Sequence, residues 1–204
     1  MPSRNILKID VEQSYYHVYA RGASQQAIFL EPSDFVYFQN LLARYLSKKP
    51  AESKQGITYP HFAGRVEVIA FCLMTNHFHL LIYQTEQGAM EKFMRSLMTS
   101  YSRYFNLKYK RTGSLFESRY KASRVTTQDY LEHISRYIHL NPRYWKTYPY
   151  SSLRYYRKGD PPEWLMPGRI MELFSSPQAY FAFVADYEDH KRMLDTIKSE
   201  LADT

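Results

Sequence analysis

Residues 66–83 read Val-Glu-Val-Ile-Ala-Phe-Cys-Leu-Met-Thr-Asn-His-Phe-His-Leu-Leu-Ile-Tyr. Two runs rich in apolar and β-branched residues flank Thr75-Asn76, the composition of two strands joined by a tight turn. The pattern predicts strands over 66–73 and 77–83. Working outward, residues 15–22 are aromatic and β-branched and end at Gly22, so they read as an earlier strand. A helix is expected from about Ser33, its cap, to Lys48, because Phe35, Phe38, Leu41, Leu42 and Leu46 recur at helical spacing. Pro50, Gly56, Pro60 and Gly64 mark residues 49–64 as a loop. A long helix is expected over 90–109, with Phe93, Leu97, Tyr101, Tyr104 and Phe105 on one side, ended by Gly113. A fourth strand falls within 115–125. Thr126 and Asp129 resemble a capping box opening a last helix to Asn141, stopped by Pro142. The order strand, helix, strand, strand, helix, strand, helix is that of an α+β, ferredoxin-like antiparallel sheet with helices on one face. Residues 1–13 read as a polar arm, 14–145 as the core, and 146–204 as an accessory segment with a helix-like stretch over 177–201.

Within this frame two motifs carry chemistry. Side chains at i and i+2 of a strand share a face, so His77 and His79 project together while Phe78 points the other way. Two imidazoles so held can bind one divalent ion, although a bare His-x-His is more often structural. On the last helix Tyr137 and Asn141 are four apart and therefore neighbours. Tyr137 is equally readable as a packed tyrosine, and Asn141 as a plain terminator. Taken with the histidines, the pair can present a phenol to a metal, with the Asn141 amide as a third ligand. A phenol of pKa ~10 needs help to attack at neutral pH, and an ion on a phosphate oxygen provides it. The product is a covalent phosphotyrosine. His133 lies one turn before Tyr137, His139 points away, and Glu132 with Arg136 reads as a surface i, i+4 ion pair.

The chain has 204 residues, a net charge of +7, 20 Tyr and 12 Phe. Excess basic charge favours a polyanionic partner. Tyrosines interleave with Arg and Lys at 101–104, 108–111, 119–121 and 154–157, a composition suited to single strands, whose bases stack on rings while cations hold phosphates. Arg21, Arg95, Arg103, Lys110, Arg111, Arg119, Lys121 and Arg124 are the expected DNA contacts. Arg119, Lys121 and Arg124 rank first because they precede the tyrosine helix. A single cysteine, Cys72, excludes an internal disulfide, and no apolar run is long enough to span a bilayer. A soluble cytoplasmic protein with no membrane partner is expected.

The motifs resemble a known family. Residues 68–83, with Asn76-His77-Phe78-His79, are similar to the His-hydrophobic-His (HUH) signature of the single-tyrosine transposases. Residues 130–142, ending Tyr137-Ile138-His139-Leu140-Asn141-Pro142, resemble the tyrosine helix of bacterial REP-associated tyrosine transposases. Three further segments agree in order: 16–22, 111–121 and 148–152. The resemblance implies a ferredoxin-like nuclease core acting on single-stranded or hairpin DNA. It implies Mg or Mn held by His77, His79 and Asn141, with Tyr137 as the nucleophile leaving a 5′-phosphotyrosine and a free 3′-hydroxyl. Thr75 stands where the family commonly has proline, and Asn141 where insertion-sequence relatives have Gln. An inactive binder of structured DNA or of RNA on the same fold is the alternative. Nothing in the sequence separates a monomer from a homodimer. For the tail after 155, hairpin recognition and covering of the core are both open.

Overall fold

Strand residues alternate between the two faces of a sheet, and here both faces are apolar, which decides how the helices are distributed. A computed structural model describes residues 10–186. Residues 1–9 of the expected arm, and the expected helical stretch beyond 186, lie outside the described residues. Four strands, β1 (Ser14–Arg21), β2 (Val66–Met74), β3 (His77–Gln84) and β4 (Lys121–Val125), form one antiparallel sheet in the order β2-β3-β1-β4. This is the α+β, ferredoxin-like arrangement.

Helices α1 (Pro32–Leu46) and α2 (Ala89–Lys108) cover one face. There Phe38, Leu41, Phe93, Leu97 and Tyr101 pack on Val18, Phe71, Leu73, Phe78 and Leu80. Asp34 clasps the pair: buried, it accepts hydrogen bonds from the Leu30 and Glu31 amides, from Tyr104 and Tyr109, and from Lys108. The cap of α1 is Glu31 rather than Ser33, because Pro32 takes the first helical position, where its missing N–H costs nothing.

The expectation of helices on one face holds for α1 and α2 alone. Helix α3 (Gln128–Leu140) lies on the opposite face, where Leu131, Ile134 and Ile138 pack on Ile69, Ala70, Cys72 and Leu81. A bulge between Val68 and Ala70 turns Ile69 and Ala70 together to that side. Thr127, not Thr126, caps α3, its Oγ1 accepting from the Tyr130 amide. The tail then covers this layer with α4 (Leu153–Lys158), α5 (Gly168–Met171) and α6 (Pro177–Ala185). It also satisfies the free edge of β2: the Leu73 and Ser152 amides donate to the Tyr150 and Phe71 carbonyls, and the Met166 amide to that of Val68.

Candidate active site

Strand pairing assembles one wall of the site. Across the sheet, Cys72 pairs with His79, His79 with Tyr19, and Tyr19 with Lys121; one step along, Met74 pairs with His77 and His77 with Arg21. Directly paired residues share a face, so these side chains stand on the α3 side. Gly22 ends β1 where there is no room for a side chain: a Cβ there would meet the Gln26 carbonyl oxygen at 2.2 Å. Its amide donates to the Asn76 carbonyl, and the Glu117 amide to that of Arg21. Those two bonds hold the β2–β3 turn and the 115–119 loop against the end of β1.

Helix α3 supplies the other wall. The Tyr137 ring stands edge-on to His79 at 5.4 Å and to His17 at 5.7 Å between centroids. At the end of the helix Asn141 Oδ1 is 3.3 Å from His77 Nε2. Tyr19, Arg21, His77, His79, Glu117, Arg119, Lys121, Tyr137 and Asn141 line one cleft.

Burial dominates the electrostatics. It lowers the His77 pKa, against a raising hydrogen bond with Asn141, and holds His79 far below the ordinary histidine range. Both imidazoles are neutral and so able to ligate a cation. Burial also raises the Tyr137 phenol, while a hydrogen bond with Asn141 and the Arg21 charge pull it down.

The donor set fits a hard divalent ion. His77 Nδ1 is 2.7 Å from Asn76 Oδ1, whose amide NH2 donates to the Gln25 carbonyl, and Nε2 is 3.3 Å from Asn141 Oδ1; a neutral ring has one proton for these two acceptors, and the shorter contact places it on Nδ1, leaving Nε2 a lone pair. That lone pair faces Asn141 Oδ1, a second acceptor. Among the described residues no three His, Cys, Asp or Glu side chains converge on a metal position, so an ion here would need the amide as well as the imidazoles.

Residues 11–141 match the family described as "Transposase IS200 like". The chain belongs to the IS200-like transposase family. It is therefore a transposase, an enzyme of the kind that cleaves and rejoins DNA. Its fold is similar to the structure of a REP-associated tyrosine transposase bound to a REP hairpin: 13% identity, TM-score 0.52, covering 78% of this chain and 89% of the other. A candidate transposase of Deinococcus radiodurans R1 aligns at 17% identity and TM-score 0.40, over 65% of this chain and 93% of that one. No curated protein matches the chain.

In this IS200-like transposase the expected cationic contacts divide. Arg21, Arg119 and Lys121 line the cleft. Arg124 does not, because it is three residues from Lys121 on β4; it is exposed on the other face, paired with Tyr16. Arg95 pairs with Glu91 at 2.8 Å and Arg103 is exposed on α2, both in the layer behind the sheet. Arg111 donates to Gln26 Oε1, and the exposed Lys110 follows α2. Arg136 is buried rather than a surface partner of Glu132: it donates to the Phe183 and Asp186 carbonyls and lies over the Phe183 ring, while Glu132 accepts from Gln128. His133 turns to Arg136, away from the cleft. His17, Tyr19 and Glu117 belong to the site without having been singled out. For His17 and Tyr19 the signal is the alternation His17, Tyr19, Arg21, which puts all three on one face; for Glu117 there is none.

Proposed function

We propose that this transposase cuts single-stranded DNA through Tyr137, acting within one chain on hairpin-forming repeats, with Mg or Mn held by His77, His79 and Asn141. The observation that carries the reading is the convergence of one buried phenol, two neutral imidazoles and an amide oxygen in a cleft rimmed by Arg21, Arg119 and Lys121. A bound ion would withdraw charge from a phosphate oxygen and stabilise the transition state. The chain's own residues do the rest. Arg21, Arg119 and Lys121 seat the backbone phosphates. Asn141 hydrogen-bonds the phenol and orients it. The Tyr137 oxygen gives its proton to solvent and bonds to phosphorus; the bond from phosphorus to the 3′ oxygen breaks, and that oxygen takes a proton from solvent and leaves as a free hydroxyl. The resulting 5′-phosphotyrosine conserves the bond energy needed for rejoining. Hairpin DNA as the substrate draws support from the ligand of the REP-associated structural relative.

The test is covalent capture. Labelled single-stranded DNA carrying hairpin repeats is incubated with the protein and Mn, then denatured. A labelled protein band that requires metal and disappears in Tyr137→Phe and His77→Ala is expected. A band that persists in Tyr137→Phe would assign another nucleophile. Hairpin binding without capture would leave a binding protein.

A further inference from the structure

The mechanism leaves one buried polar group of the site without a role. His17 lies on β1 beneath Tyr137, 1% exposed, and its Nε2 is 2.9 Å from Nδ1 of His79, itself 3% exposed. The two rings are nearly parallel, with centroids 5.1 Å apart. On the sheet they are diagonal neighbours, since His17 pairs directly with Leu81 and His79 with Tyr19.

A bond between two neutral imidazole nitrogens contains one proton, which has two placements. If His17 donates, His79 Nδ1 accepts, the His79 proton sits on Nε2, and that nitrogen cannot ligate a cation. If His79 Nδ1–H donates, His17 accepts and His79 Nε2 keeps its lone pair. His79 lines the cleft and its Nδ1 is taken, so Nε2 is the nitrogen it has to offer there. Free neutral histidine favours the Nε2–H form, so the ligating form has to be imposed.

The geometry points to His17 as a positioning residue for the metal site: it accepts the Nδ1 proton of His79, and so fixes the ring orientation and the tautomer that turns Nε2 into a ligand. Asn76 stands in the same relation to His77. Metal-binding histidines generally donate their other N–H to an acceptor of this kind, and loss of such a partner typically costs 10–100-fold in affinity. His17 is not itself a ligand, because the nitrogen it turns toward the site is occupied by His79. This role rests on the metal reading above, and its test separates the two.

The full-length protein, metal-free and with 15N-labelled histidine, is read by long-range 15N–1H correlation, and Mn binding is then titrated by electron paramagnetic resonance. His79 protonated on Nδ1 is expected in the wild type. His17→Phe should move the proton to Nε2 and weaken Mn binding by about 10–100-fold. His17→Gln, whose amide oxygen can accept the same proton, should recover most of that loss. A wild type protonated at His79 Nε2 overturns the assignment, even if His17→Phe fails to fold. So does Mn binding by folded His17→Phe within about twofold of a wild type whose binding requires His77. Wild-type Mn binding that His77→Ala leaves unchanged would instead overturn the metal site.

Discussion

At Tyr137, burial and charge act in opposite directions. Removal from water disfavours the phenolate and raises the pKa; the Asn141 hydrogen bond and the Arg21 guanidinium favour it. The resting nucleophile is thus a neutral phenol at physiological pH, and the reactive fraction grows as pH rises. Single-turnover capture is expected to accelerate from pH 6 to pH 9 without reaching a plateau. Arg21→Gln should shift that profile to higher pH and slow capture at pH 7. A profile flat over this range would mean that deprotonation of Tyr137 does not limit the step. Burial keeps His77 and His79 neutral below the ordinary histidine pKa, so protonation of these ligands does not produce a fall above pH 6.5.

Helix α3 is the element that brings Tyr137 and Asn141 to the sheet, and its far side is anchored by polar contacts. His139 is fully buried, with Nδ1 2.6 Å from Tyr180 Oη and Nε2 2.7 Å from Ser152 Oγ; Tyr180 Oη also donates to Ser135. Burial lowers the His139 pKa to about 3. The unfolded chain, with a histidine pKa of ~6.5, then binds more protons than the folded one below neutrality, so stability falls as pH drops from 6.5 toward the folded pKa. From pH 7 to pH 5 this residue alone removes about 2 kcal/mol. Chemical denaturation of wild type and His139→Gln at the two pH values should show a smaller acid loss in the variant by about that amount. Equal losses would place the acid sensitivity elsewhere. At the other end of α3, Thr127→Ala should cost ~1 kcal/mol through loss of the cap to the Tyr130 amide.

For the whole molecule the net charge is +7, and among the described residues cationic side chains stand both in the cleft on the α3 face, as Arg21, Arg119 and Lys121 do, and behind the sheet, as Arg95, Arg103 and Arg124 do. Arg119→Ala should weaken single-strand binding and reduce the salt slope by about 0.7–1 unit, whereas Arg103→Ala, behind the sheet, should leave the slope unchanged; fluorescence titration at several salt concentrations measures both. A loss of slope with Arg103→Ala would place DNA on the α1–α2 face. Lys121 and Arg124 show how far a sequence reading reaches. Nearness to the tyrosine helix ranks them together, yet an odd separation on a strand sends them to opposite faces, a distinction available only once the strand limits are known. Glu132 and Arg136 show the same at helical spacing: i, i+4 makes them neighbours, but the tail lying on α3 buries the arginine and gives it carbonyl partners. By itself the sequence determined the element order, the shared face of His77 and His79, and the neighbourhood of Tyr137 and Asn141, because each follows from the short-range periodicity of one strand or helix. Only the tertiary structure decided that α3 crosses the face opposite α1 and α2, that His17 backs His79, and that Glu117 and Arg119 reach the cleft. Those depend on the order of strands in the sheet and on packing between segments far apart in the chain, and a local pattern does not encode either.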